Sequence, residues 1–107
     1  MSAVESLPYG HHLYFEHDED STVVALGHLV ASKPPASQPD SVATAAARMA
    51  EAARGERGRR QPIVVRPLAT GQYEIVDGNA TYGAALEAKW SDLPVRIQRA
   101  RDAPEQI

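Results

Sequence analysis

The clearest pattern in the chain is helical. Val42, Ala45, Ala46, Met49, Ala52 and Ala53 recur at three- and four-residue spacing, which predicts a helix running to a stop at Gly55, with Asp40 or Ser41 as its N-cap. Its apolar face is mostly alanine, so it can approach a sheet closely while burying little area. Downstream the period changes. PIVVR, Pro62 to Arg66, reads as a buried strand, and QYEIV, Gln72 to Val76, as a second in which Tyr73 and Ile75 alternate with Gln72 and Glu74. Five residues separate them, with Gly71 available for a positive φ, so a hairpin is predicted. Asp77, Gly78 and Asn79 break the second strand and open another alanine-rich helix, Ala80 to Lys89. Trp90, Ser91 and Asp92 close it, and Leu93 to Gln98 forms a last strand with Val95 and Ile97 on one face.

The front of the chain is less regular. Thr22, Val23 and Val24 predict a strand over Ser21 to Ala25, and Leu26 to Ser32 a turn or short helical step anchored by Leu29 and Val30. KPPASQPD, Lys33 to Asp40, is an extended proline-rich connector. Residues 1–21 read as a partly irregular arm with at most one short strand around Leu13 to Glu16. Residues 22–99 read as the folded domain, and residues 100–107 as a polar, fraying tail.

Composition narrows the chemistry. The chain has 107 residues, enough for one small core, and no cysteine, which excludes thiolate nucleophiles, disulfides and sulfur-ligated metals. No apolar run approaches a membrane span and no secretory signal is visible, so the cytoplasm is the expected compartment, with no membrane partner. The net charge of −3 argues against a strongly basic nucleic-acid binder. It is unevenly spread: residues 1–50 hold only Lys33 and Arg48 as bases, whereas Arg54, Arg57, Arg59 and Arg60 crowd the loop after the first helix. His11, His12, Glu16, His17, Asp18, Glu19 and Asp20 are metal-capable donors without a recognised ligand spacing. His28 reads as structural.

The string PIVVRPLATGQYEIVDGNATYGAALEAKWSDLPVRI, Pro62 to Ile97, preceded by GERGRR, resembles the core of the ParB/sulfiredoxin-like superfamily. VDGNATYGAALEAKW followed by LPV is its most specific piece, and coverage extends over roughly residues 22 to 98. The resemblance implies an α+β fold, a small mixed β-sheet with packed helices. It also implies a phosphate-binding loop at Gly78, Asn79, Ala80 and Thr81, where free backbone N–H groups and a helix dipole favour an anion. Sulfiredoxins carry a catalytic cysteine where Asn79 stands, so sulfinic-acid reduction is excluded. Charged residues that follow the glycine in many ParB domains are here Asn-Ala-Thr, and Arg57, Arg59, Arg60 and Arg66 are the candidates to replace them in space.

The expected function is binding of a nucleotide, ATP or CTP, or of a nucleic-acid phosphate, with Mg2+ held by Asp77. Nuclease-like or nucleotide-hydrolysing chemistry would then use Asp77 or Glu56. The alternative is a catalytically degenerate ParB-like module that binds a partner protein or forms a homodimer, in a plasmid, phage or toxin-antitoxin setting. No helix-turn-helix is present, so sequence-specific DNA reading is not expected of this chain.

Overall fold

The computed structural model describes Leu7, residues 10–17 and residues 19–98. The expected fraying tail, residues 100–107, lies outside that range. In chain order the elements are helix α1 (His11–Tyr14), strands β1 (Ser21–Ala25) and β2 (Leu29–Val30), helix α2 (Pro39–Ala53), strands β3 (Ile63–Pro67) and β4 (Tyr73–Asp77), helix α3 (Asn79–Glu87) and strand β5 (Asp92–Ile97). Two 3₁₀ turns, Leu26–His28 and Pro35–Ser37, join β1 to β2 and precede α2.

The five strands form one mixed sheet in the order β1-β5-β3-β4-β2. β1 runs antiparallel to β5, and β3 antiparallel to β4 through the hairpin, where Gly71 has φ +92°. β3 lies parallel to β5, and β2 parallel to β4. Val24, Ile63, Val65, Ile75, Leu93 and Val95 are buried in one cluster with Val42, Ala46 and Met49 of α2 and Ala84 and Ala85 of α3. The architecture is α+β, with α2 and α3 packed on a small mixed sheet.

Alanine faces let the helices come close. At Gly83 of α3 there is no room for a side chain: a Cβ there would sit 2.8 Å from Val42 Cγ2 of α2 and 2.9 Å from Pro35 Cβ. Gly83→Ala is therefore expected to destabilise the domain by about 1–2 kcal/mol in urea denaturation, the overpacking cost exceeding the roughly 1 kcal/mol that alanine adds in helix propensity.

Two local expectations change. The N-cap of α2 is Gln38, with no side-chain capping bond, and Pro39 is the first helical residue. Proline suits that position because its fixed φ is helical and its missing N–H has no intrahelical role. In the arm, the strand expected around Leu13 to Glu16 is replaced by α1, followed by a single parallel bridge between Phe15 and Arg60. Consecutive burial of Tyr14 and Phe15 explains the change, since an extended strand would send them to opposite faces.

Candidate functional site

The sheet and α3 meet at the turn Asp77-Gly78-Asn79. Regular alternation would put Asp77 on the same face as buried Ile75, but the pairing of β3 with β4 shifts between Val64 and Val65, leaving Val76 as an extra residue. Beyond that bulge Val76 and Asp77 are both exposed. Gly78 then turns the chain with φ +119° and ψ 20°, and it is the N-cap of α3. A Cβ on it would lie 2.4 Å from Ile63 Cγ2, so both the backbone angle and the neighbouring strand require glycine. The N–H groups of Asn79, Ala80 and Thr81 open the helix ahead of its first internal bond, Tyr82 N–H to Gly78 O at 2.9 Å.

Asn79 does not cap the helix with its side chain. Its Oδ1 accepts from the N–H groups of Ser32 and Lys33 at 3.0 and 3.2 Å, and its Nδ2 donates to Ser32 Oγ at 2.9 Å. Ser32 Oγ in turn donates to Ile75 O at 2.7 Å. Buried Asn79 thereby ties the segment after β2 to the end of β4 and brings Lys33 to the helix start.

On the other side stands Arg60. Its Nη2 donates to Thr81 Oγ1 at 3.2 Å, and Thr81 is buried. The guanidinium is half-buried, and among the described residues no carboxylate lies within ion-pair distance of it. Desolvation, reinforced by the positive charges of Arg48 and Arg57, lowers its pKa, and Asp77 offsets this in part. A polar cleft of about 320 Å³ results: Lys33 and Arg60 supply its cations and Asp77 its carboxylate. Gly78, Asn79, Ala80 and Thr81 at the start of α3 also line it, together with Ser32, Gln38, Ser41 and Val76.

The remaining expected site residues fall elsewhere. Arg57 donates to Glu51 at 2.7 Å on the exposed loop, and Arg59 is exposed there too. Arg66 faces Glu74 across the β3–β4 pair and donates to it at 2.6 Å. Glu56 is exposed and held by Arg54 through two hydrogen bonds of 2.9 Å, which keep its carboxyl below the ordinary glutamate range. None of these four lines the cleft. Lys33 does, and no local signal in its proline-rich surroundings pointed to it; only the long-range clamp by Asn79 places it there.

The acidic and histidine-rich arm does not gather into a metal site: among the described residues no group of three His, Asp or Glu donors is placed to hold an ion. Asp18 lies outside those residues. His11 Nε2 instead meets Asp92 Oδ1 at 3.0 Å, and its ring lies 5.7 Å from that of Trp90. His28 is exposed. Among the described residues no helix is long and apolar enough to cross a membrane.

The family model of the ParB N-terminal domain matches residues 18–106. The chain belongs to the ParB N-terminal domain family. No curated protein matches the chain at a significant level. Among solved structures, the C-terminally truncated chromosome-partitioning protein ParB from Caulobacter crescentus, complexed with CTP-gamma-S, is similar at 22% identity with a TM-score of 0.47. That match covers 74% of this chain and 44% of that ParB, so this chain spans less than half of its length. Within this ParB N-terminal domain, the Asp77-Thr81 turn carries Asn-Ala-Thr after the glycine, and the guanidinium beside it comes from Arg60, in a different part of the chain.

Proposed function

We propose that this ParB N-terminal domain binds the phosphate groups of a nucleotide in the cleft at the start of α3. The observation that carries the reading is the Arg60 guanidinium, half-buried, bonded to Thr81 at the helix start and without a carboxylate partner among the described residues. A desolvated cation beside free helix N–H groups favours an anion, and a guanidinium can engage two phosphate oxygens at once. Lys33, also in the lining, adds a second positive charge, as a point charge rather than a fork.

Asp77 fits a supporting role. Magnesium is commonly held by one or two carboxylates together with substrate phosphates, and Asp77 is the single carboxylate in the lining. When bound, the ion would supply positive charge that offsets the charge of the phosphates. As its ligand, Asp77 would hold the ion rather than accept a proton as a general base.

The test is calorimetry with CTP and with ATP, each with and without magnesium. Wild-type protein is expected to bind at least one of them, and Arg60→Gln to weaken that binding about tenfold or more, roughly 1.4 kcal/mol, the worth of a charge-assisted hydrogen bond. An unchanged affinity in Arg60→Gln would refute the assignment of Arg60. The absence of any nucleotide response in the wild type would turn the reading toward a partner-binding module.

A further inference from the structure

Arg60 is held from outside its own loop. The segment before it, residues 54–59, is exposed throughout, and Gly55 and Gly58 have open space around them. What fixes the backbone of Arg60 is the arm: its N–H donates to Tyr14 O at 2.7 Å, and its C=O accepts from Glu16 N–H at 2.8 Å. The arm is itself seated in the core. Tyr14 and Phe15 are fully buried, the Tyr14 ring lies 5.1 Å from that of Trp90, and Trp90 Nε1 donates to Leu7 O at 3.3 Å.

We propose that the segment Tyr14–Glu16 is a positioning element of the cleft, setting where the Arg60 guanidinium meets Thr81. This rests on the reading of the cleft as a phosphate site. Two backbone hydrogen bonds to one residue restrict its dihedral angles and the point from which its side chain departs. Without them Arg60 would share the freedom of the exposed loop, and the apparent affinity would fall by the fraction of molecules with the guanidinium in place.

Glu16→Pro removes the N–H donor of one of the two bonds. Glu16 is exposed, and Phe15 at φ −126° and ψ 145° already has the extended backbone that a following proline requires. Glu16→Ala keeps the N–H while removing the same charge. In ligand-free protein, the Arg60 Nε–Hε resonance is expected to shift or broaden in Glu16→Pro and to stay in place in Glu16→Ala. Nucleotide affinity should fall about three- to tenfold in Glu16→Pro alone. In an Arg60→Gln background the proline should cost nothing further, because the group it positions is gone.

The inference is overturned if Glu16→Pro leaves the resonance and the affinity unchanged, or if it weakens binding equally with and without Arg60. Hydrogen exchange on the wild type gives a second arm that needs no variant: the Arg60 amide should be protected well above that of Arg59, and equal rates would overturn the inference. If the wild type binds no nucleotide, the functional reading falls, whereas the resonance and the exchange rates still decide whether the arm positions Arg60.

Discussion

Gly78→Ala should lower the stability of the domain by about 2–5 kcal/mol, the sum of a strained positive φ and an overpacked contact. The glycine sits at φ +119°, where side chains are rarely tolerated. Its added methyl would also lie 2.4 Å and 2.7 Å from Ile63 Cγ2 and Cβ, and Ile63 is itself buried at the start of β3. Neither atom is the far end of a flexible side chain, so relief requires moving the strand or the turn. Either movement displaces the N–H groups of Asn79, Ala80 and Thr81, so residual folded protein should bind nucleotide weakly. Urea denaturation followed by the fluorescence of Trp90 measures the first effect and calorimetry the second. A loss of less than about 0.5 kcal/mol, the range of ordinary surface substitutions, would show that the turn is not constrained as described.

Asn79→Ala is the second large effect, expected at about 2–4 kcal/mol, because it removes three hydrogen bonds, each worth roughly 0.5–1.5 kcal/mol. The substitution strips the acceptor from the N–H groups of Ser32 and Lys33 and the donor from Ser32 Oγ. Stability and site geometry should fail together, since these bonds also bring Lys33 to the cleft. Asn79→Asp separates the two. It keeps an acceptor for both N–H groups and places a negative charge at a helix N-terminus, where such charge is favourable, so it should be less destabilised than Asn79→Ala. The same charge in the cleft lining repels phosphate, so nucleotide affinity should still collapse. Equal stability of wild type and Asn79→Ala in urea would contradict the clamp.

Much of this fold was legible in local pattern. Val42, Ala45, Ala46 and Met49 announce α2 by their spacing, the Tyr73 and Ile75 alternation announces β4, and Asp77-Gly78-Asn79 marks the strand-to-helix turn because such residue types are favoured there. The VDGNATYGAALEAKW string pointed to the family that the 18–106 match establishes. The site was only half legible. Four arginines were equivalent in sequence, and what separates them is where their partners lie: Glu51 takes Arg57, Glu74 takes Arg66, Arg59 stays in solvent, and Arg60 alone is turned toward Thr81. That choice depends on the bridge between Phe15 and Arg60, two positions far apart in the chain. Lys33 likewise enters through Asn79, 47 residues from Ser32. Asn79 is of a residue type that local preference places at a helix N-cap, yet its side chain serves the two N–H groups after β2 instead. The bulge at Val76 was hidden for a similar reason, since it is a property of the β3–β4 pairing and not of β4 alone.

The central claim is that nucleotide phosphate sits on the start of α3 between Arg60 and Lys33. The most direct test is a titration of 15N-labelled protein with CTP and with ATP, in the presence of magnesium, followed by nuclear magnetic resonance. The expected result is a saturable set of shifts at the amides of Gly78, Asn79, Ala80 and Thr81 and at the Arg60 Nε–Hε, with the β1–β5 edge of the sheet unmoved. Saturable shifts confined to surfaces away from that turn, or no shifts with either nucleotide at millimolar concentration, would contradict it.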